Sequence, residues 1–238
     1  MVGLGGGFLL VPLLRLVFGL GPAEAAGTSL ALVVANSGAG TIAYFLQKRV
    51  AVRTALLLAA GGIPGSLLGA FFVQRMSAAT FDWLFALLLI GVAVDLIASR
   101  NKKRADVRSS ASLDRTAGLS WASGLSAGLA VGVISSLFGV GGGIIAVPTL
   151  LYFTELPVHA MMGTSHLAIF LTSPVGLIAH AYERDIRSSY VVPLVIGGLA
   201  GGPIGARLSA RLSPSWILIL VSGAVTIAAA SLVLRHLM

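Results

Sequence analysis

A long internal repeat constrains the fold more than any other feature of this sequence. Residues 3 to 84 correspond to residues 139 to 220 without a gap, at a constant offset of 139 − 3 = 136 residues. Each copy begins with a glycine triplet and later contains a Gly-Thr-Ser motif, at residues 27 to 29 and 163 to 165. Because so many unlike positions agree, chance is an improbable explanation. We therefore predict one structural unit that is used twice.

Composition restricts where such a unit can fold. Hydrophobic residues make up 57% of the 238-residue chain, charged residues make up 10%, and the mean hydropathy is +0.98. Apolar segments recur at about the 20-residue length that crosses a bilayer, so we predict an all-α polytopic membrane protein. The chain has no cysteine, which excludes disulfides, thiolate chemistry and Cys-ligated metals.

The excess of basic residues has a topological explanation. The formal net charge is +8, and six of the sixteen Lys and Arg residues lie in one loop: Arg100, Lys102, Lys103, Arg104, Arg108 and Arg115. A basic cluster between apolar segments indicates a cytoplasmic loop. No nucleic-acid recognition motif accompanies it, so we expect no nucleic-acid partner. The predicted division is a first transmembrane repeat at residues 1–99, a basic cytoplasmic linker at 100–115 and a second transmembrane repeat at 116–238.

One apolar segment in each repeat is too short to span a bilayer. In the second repeat, Gly143–Phe153 follows the glycine triplet and would extend about 17 Å, half of a ~30 Å hydrocarbon core. Its counterpart is residues 7 to 18. We therefore predict broken half-helices at both glycine triplets. The longer apolar segments of the second repeat are residues 116 to 138, 159 to 182, 189 to 208 and 216 to 234.

The two repeats are not equally complete in this sequence. The counterpart of residues 116 to 138 in the first repeat would precede Met1, so the first repeat is expected to lack its first helix. Two explanations stay open: a reading frame that begins further upstream, which we favour, and a true loss of that span. If the broken pair makes an even number of crossings, each full repeat makes an odd number, and the second repeat is inverted relative to the first.

The glycine triplets are the strongest candidates for a binding site. Consecutive glycines leave helical geometry without steric cost, and the helix that follows places backbone N–H groups at its positive end. This arrangement suits a small anion. The candidate residues are Gly5, Gly6 and Gly7 in the first repeat and Gly141, Gly142 and Gly143 in the second. The structural alternative is close packing of helices through small residues.

Polar stripes on the long helix after each triplet are the second candidates. Residues seven or eight positions apart share one face of a helix. The stripes consist of Thr28, Ser29 and Asn36 in the first repeat and of Thr164, Ser165 and Thr172 in the second. They could complete a polar cavity at the middle of the membrane. Hydrogen bonds between helices, or to the carbonyl one turn earlier, are the alternative.

Ionisable residues inside the apolar segments add a candidate for proton coupling. His166 follows Thr164 and Ser165 directly, and an intramembrane histidine often has a functional role. His180 is expected at the membrane interface. Arginines close to segment ends, including Arg15, have room to extend toward water. Since the sequence lacks nucleotide-binding, serine-protease and metal-site motifs, an enzyme is not expected.

The doubled pattern of Gly-x-Gly-Gly-Gly, a following proline and then Gly-Thr-Ser resembles the sulfite exporter TauE/SafE family of membrane permeases. Pro12 and Pro148 occupy the proline positions. The resemblance implies a multi-pass protein of the bacterial inner membrane that transports small sulfur-containing anions, such as sulfite or organosulfonates. Alternating access and proton coupling through His166 are the expected mechanism. A channel-like facilitator of another small anion and a non-transporting scaffold subunit are the alternatives.

Overall fold

The computed structural model describes residues 7–102, 120–154 and 156–209, and the secondary structure of these residues is entirely helical. Eight helices follow one another: α1 (Gly7–Leu16), α2 (Pro22–Leu46), α3 (Val52–Gln74), α4 (Ala78–Lys102), α5 (Trp121–Phe138), α6 (Gly143–Phe153), α7 (Val158–Tyr182) and α8 (Ser188–Ser209). Four of them, α2, α3, α5 and most of α7, are long and apolar enough to cross a membrane. The predicted all-α polytopic membrane protein is thus confirmed.

Helices α2 and α7 form the centre of the molecule and run antiparallel. Gly27 near the start of α2 packs against His180 near the end of α7, with a space of only 3.0 Å between a Cβ at Gly27 and the Cβ of His180. Gly38 faces Phe170, at the middle of both helices. At the far end, Gly163 packs against Tyr44. The small residues at these crossings allow close approach along the whole pair.

Helices α3 and α5 are parallel and touch backbone to backbone. Gly61, Gly65 and Gly69 recur every four residues on one face of α3, and each contacts a backbone carbonyl of α5. In return, Gly128 of α5 contacts the carbonyl of Leu58 on α3. Any side chain larger than hydrogen would separate these helices, so the glycines determine this packing.

The break between α5 and α6 lies at the second glycine motif. Gly139, Gly141 and Gly142 all have positive φ, at +66°, +75° and +48°, in the left-handed region that glycine tolerates. Helix α6 begins at Gly143 and ends at Phe153, which are the predicted bounds. Helix α1 ends at Leu16, two residues before the predicted end, and Gly19 beyond it also has a positive φ of +65°.

A buried ion pair joins α1 to α4. Arg15 donates to both carboxylate oxygens of Asp82, from Nε at 2.9 Å and from Nη2 at 2.6 Å, and its Nη1 donates to the carbonyl of Leu20 at 2.9 Å. The two side chains are 3% and 1% exposed. The expectation that Arg15 extends toward water was therefore wrong, because a carboxylate from a distant helix compensates its charge inside the protein.

The outer surface of the bundle is apolar. Leu46, Leu87, Ile178 and Ile196 are more than half exposed, as are other large aliphatic residues on the long helices. Such a surface suits contact with lipid acyl chains. The predicted segment at residues 216 to 234, most of the basic linker, and Gly5 and Gly6 lie outside the described residues.

Candidate functional site

The N-terminus of α6 lies against the middle of the α2–α7 pair. A Cβ at Gly141 would come within 2.5 Å of Val33 on α2, and a Cβ at Gly142 would come within 3.6 Å of Ile169 on α7. Ser135 of α5, which is buried, borders Gly142 at 3.4 Å. The non-helical backbone thus lies at about half of the length of α2 and α7 and beside the last turn of α5.

The end of the first glycine triplet reaches the second glycine motif. A Cβ at Gly7 would lie 2.7 Å from the carbonyl oxygen of Gly139 and 3.1 Å from the backbone of Val140. Ser29 of α2 donates its hydroxyl to the same carbonyl of Gly139 at 2.7 Å. The structure therefore brings Gly7, Ser29 and the loop that leads into α6 together.

The first turn of α6 uses part of its hydrogen-bonding capacity within its own loop. The N–H groups of Ile145 and Ala146 both donate to the carbonyl of Gly142, at 3.0 and 2.7 Å, and the N–H of Gly143 donates to Gly141. The positive end of the helix dipole still points into the centre of the bundle, because the orientation of the peptide groups fixes it. This is the feature that suits an anion.

Asn36 of α2 and Thr172 of α7 lie near this level of the bundle, and the methyl group of Thr172 packs against Gly62 of α3. Both lie about one turn beyond the residues that contact the α6 N-terminus, and Asn36 is half-buried. The Thr172 hydroxyl donates to the carbonyl of Ala168 at 3.0 Å, as an internal bond of α7. Ser165 likewise donates to the carbonyl of Met162 at 2.9 Å. Part of the polar stripe therefore bonds back to its own helix.

The two Gly-Thr-Ser motifs lie at opposite ends of the α2–α7 pair. Thr28 Oγ1 accepts a hydrogen bond from the N–H of Arg187, before α8, at 3.2 Å. Thr164 Oγ1 accepts one from the N–H of Ala51, before α3, at 3.0 Å. Gly27 and Tyr44 mark the two levels on α2, separated by about 25 Å of helix. The structure thus does not bring Thr28 and Thr164 into one midplane site.

His166 lies near the Thr164 end of the pair. Its Nδ1 is 2.8 Å from the carbonyl oxygen of Met162, one turn earlier in α7, and its ring centroid is 5.3 Å from that of Tyr44. Gly40 of α2 leaves the space that the imidazole fills. The ring is half-buried between the two central helices.

Sequence reasoning missed a buried polar cluster at the Thr28 end. His180 is 0% exposed, whereas an interfacial position was expected for it. Its ring contacts Asp185 of the α7–α8 loop and the backbone carbonyl of Ser136, and Gln74 of α3 donates to Asp185. The comparison of the two repeats offered a signal, because the first repeat has Tyr44 and Arg49 at the positions where the second has His180 and Asp185.

Among the described residues, no three His, Asp or Glu side chains form a metal-binding group.

Comparisons with known proteins agree with a membrane transporter. The family model of the sulfite exporter TauE/SafE matches residues 1–232. A probable membrane transporter protein, YunE, of Bacillus subtilis is 27% identical over 237 residues, covering 93% of this chain and 87% of its own. A probable membrane transporter protein of Xylella fastidiosa is 30% identical over 216 residues, covering 90% and 81%. No solved structure gives a significant match. The glycine-broken helix, the apolar spans and the nearly full-length match together identify this chain as a member of the TauE/SafE family of multi-pass membrane transporters.

Proposed function

We propose that this chain is a secondary transporter that moves small sulfur-containing anions, such as sulfite or organosulfonates, by alternating access. The observation that carries the proposal is the position of α6, whose N-terminus meets α2 and α7 at half of their length. Half-helix N-termini at this depth are a common way to bind an anionic substrate in transporters. The description of the family supplies the substrate class.

Matched contacts at the two ends of the α2–α7 pair support alternating access. The Thr28–Arg187 and Thr164–Ala51 bonds are related by the sequence offset, since 164 − 28 and 187 − 51 both equal 136. Lys48 and Arg184, a further pair at this offset, both have positive φ, at +53° and +63°. These contacts are those expected of two inverted repeats in which a threonine of each repeat bonds to a loop of the other. Alternate opening of the two ends would then expose the central site to each side of the membrane in turn.

Binding at the centre requires α2 and α7 to move away from the N-terminus of α6. Gly141 and Gly142 contact Val33 and Ile169 directly, so an anion enters only when these helices separate. The ligand would then meet the N-terminus of α6 and the Ser135 hydroxyl. Asn36 and Thr172 lie about one turn beyond Val33 and Ile169 on the same helices, and we assign to them the selection among anions of different size.

A proton is the proposed coupling ion, and His166 is one candidate to carry it. The ring lies between α2 and α7, the helices whose separation the mechanism requires. A change of its charge would alter the free energy of that contact. Substitution His166→Gln should then remove the dependence of uptake on a pH gradient and leave anion binding intact.

The direct test is the thermal stability of the purified protein against sulfite, small sulfonates, carboxylates, phosphate and chloride at matched ionic strength. A ligand that binds only the folded state raises the unfolding midpoint. We expect a shift with sulfite or a sulfonate, and its loss in Gly142→Val. Gly197→Val is the matched control, because no described residue lies within 4 Å of a Cβ there. An unchanged shift in Gly142→Val removes the α6 N-terminus from the site.

A non-transporting scaffold is the second candidate function. The observation that favours it is the close packing of Gly139 against Ala26 and of Gly141 against Val33, which leaves these glycines with a structural role. Uptake into proteoliposomes separates the possibilities. Saturable uptake supports a transporter, non-saturable flux supports a channel-like facilitator, and the absence of both flux and anion binding supports the scaffold.

A further inference from the structure

A buried histidine with two oxygen partners lies where α7 meets the α7–α8 loop. The Nε2 atom of His180 is 3.0 Å from the backbone oxygen of Ser136 on α5. Its Nδ1 atom is 3.3 Å from Oδ2 of Asp185 on the loop. Both ring nitrogens therefore face oxygen atoms of other elements, and the ring has no exposed surface.

This geometry requires more protons than a neutral ring carries. A backbone carbonyl only accepts, so Nε2 must hold a hydrogen. In that tautomer the lone pair of Nδ1 would point at the lone pairs of an ionised carboxylate. The contact is attractive only if a second proton lies between Nδ1 and Oδ2. Gln74 donates to the same Oδ2 atom, which favours an ionised Asp185 and thus an imidazolium ring.

We propose that His180 and Asp185 together bind one proton as an imidazolium–carboxylate pair, and that this proton holds closed the α7–α8 end of the contact between α2 and α7. Without the proton, Asp185 keeps a largely buried negative charge, and among the described residues the neutral Gln74 amide is its remaining side-chain hydrogen-bond donor. Burying a charge without a charged partner is unfavourable, so the loop then moves toward water.

The loop that carries Asp185 is also the loop that closes on α2. The backbone oxygen of Asp185 borders Gly27 at 3.0 Å from a Cβ at that position. Two residues later, the N–H of Arg187 bonds to Thr28, and its guanidinium pairs with Glu24 at 2.5 Å. Movement of Asp185 would thus release the contacts with α2. Its use to couple proton movement to anion transport rests on the proposed function.

At the opposite end of the pair, the two positions that correspond to His180 and Asp185 hold neither a histidine nor a carboxylate. Tyr44 and Arg49 occupy the positions that correspond to His180 and Asp185, and they cannot form a histidine–carboxylate pair. The proposed pair would therefore act at the α7–α8 end of the contact. His166 differs from His180, because its one hydrogen bond, from Nδ1 to the carbonyl of Met162, requires only the single proton of a neutral ring.

Asp185 is the charged group in direct contact with the His180 ring. The other titratable or charged groups at this end, taken from every described element packed there, are Arg15 on α1, Glu24 on α2, Arg75 on α3, Asp82 on α4, Tyr182 on α7, Tyr190 on α8, and Glu183, Arg184 and Arg187 on the loop. Arg15 and Asp82 pair with each other. Glu24 and Arg187 compensate one another, and Arg75 stacks on the exposed Phe71 ring. Helix α5 presents only the carbonyl and hydroxyl of Ser136.

Nitrogen-15 NMR of histidine-labelled full-length protein in lipid nanodiscs tests the proton site. At neutral pH we expect one ring with both nitrogens protonated, assigned to His180 by its loss in His180→Gln. In Asp185→Asn the same ring should become neutral, which also serves as the test if His180→Gln does not fold. A His180 ring with one protonated nitrogen at neutral pH overturns the assignment.

Hydrogen exchange tests the closing role with a control inside the same molecule. The N–H of Arg187 and the N–H of Ala51 make equivalent bonds to threonine at the two ends of the pair. As rising pH deprotonates His180, the ratio of the Arg187 to the Ala51 exchange rate should increase, and in His180→Gln it should not depend on pH. A constant ratio in the native protein contradicts the closing role. Neither measurement uses an anion, so failure of sulfite transport leaves both results unaffected.

Discussion

Arg15 and Asp82 show how single residues stabilise this membrane fold. The guanidinium binds the carboxylate through two hydrogen bonds, and its carbon Cζ lies 5.7 Å from the centre of the Phe81 ring. The pair is separated by 67 residues in the chain, and both partners are almost completely buried. It ties the short helix α1 to α4, and α1 carries Gly7 toward the central loop.

Removal of one partner should therefore be costly. We expect Asp82→Asn to destabilise the protein by about 3–5 kcal/mol, because a buried Arg15 charge is left uncompensated. The unfolding midpoint in detergent is the measurement. The double substitution Arg15→Met with Asp82→Leu is the control, and it should recover most of the loss since apolar side chains replace the pair without an unpaired charge. An Asp82→Asn protein as stable as the native one would show that the pair contributes little.

At the scale of elements, the surroundings of a glycine show whether its helix packs tightly against a neighbouring helix. Gly61 on α3 and Gly197 on α8 are related by the offset of 136 residues, but their surroundings differ. A Cβ at Gly61 would collide with the carbonyl of Leu125 on α5, whereas no described residue lies within 4 Å of a Cβ at Gly197. The same sequence position therefore has opposite requirements in α3 and α8.

Alanine substitutions should reveal this difference. We expect Gly61→Ala to cost about 1–3 kcal/mol, because overpacking forces α3 and α5 apart. Gly197→Ala should instead be neutral or stabilising by about 0.5–1 kcal/mol, since alanine loses less backbone entropy in a helix. Thermal unfolding of both variants in the same detergent tests both expectations. Equal destabilisation by the two changes would mean that Gly197 also faces a packed neighbour.

The elements were easier to predict than their contacts. The bounds of α6, residues 143 to 153, could be predicted because a run of glycines followed by a run of apolar residues is a local signal. The contact of Gly141 with Val33 depends on how α5, α6 and α2 meet, and no local pattern contains that information. Asp82 was missed for the same reason, because Arg15 becomes its neighbour only through tertiary packing, and the bond from Gln74 to Asp185 likewise joins distant parts of the chain. Thr28 and Thr164 were predicted to share one site because they occupy equivalent positions in the two repeats. In the antiparallel α2–α7 pair, equivalent positions near the two helix starts lie at opposite ends.

At the scale of the whole molecule, the proposed transport cycle needs both ends of the α2–α7 pair to open in turn. Since the chain has no cysteine, two introduced cysteines give a specific cross-link. The bonds Thr28–Arg187 and Thr164–Ala51 bring each pair of residues within reach of a disulfide. One cross-link should therefore close one end without altering the other.

We expect either disulfide, Thr28→Cys with Arg187→Cys or Thr164→Cys with Ala51→Cys, to abolish anion uptake into proteoliposomes. The reason is that a site which cannot open to one side completes no cycle, although it still exchanges ligand with the other side. Reduction of the same sample is the control and should restore uptake. Anion binding, measured by the thermal shift, should survive in both oxidised proteins because one end remains free to open. Full transport by either cross-linked protein would contradict alternating access and favour a path that does not pass between α2 and α7.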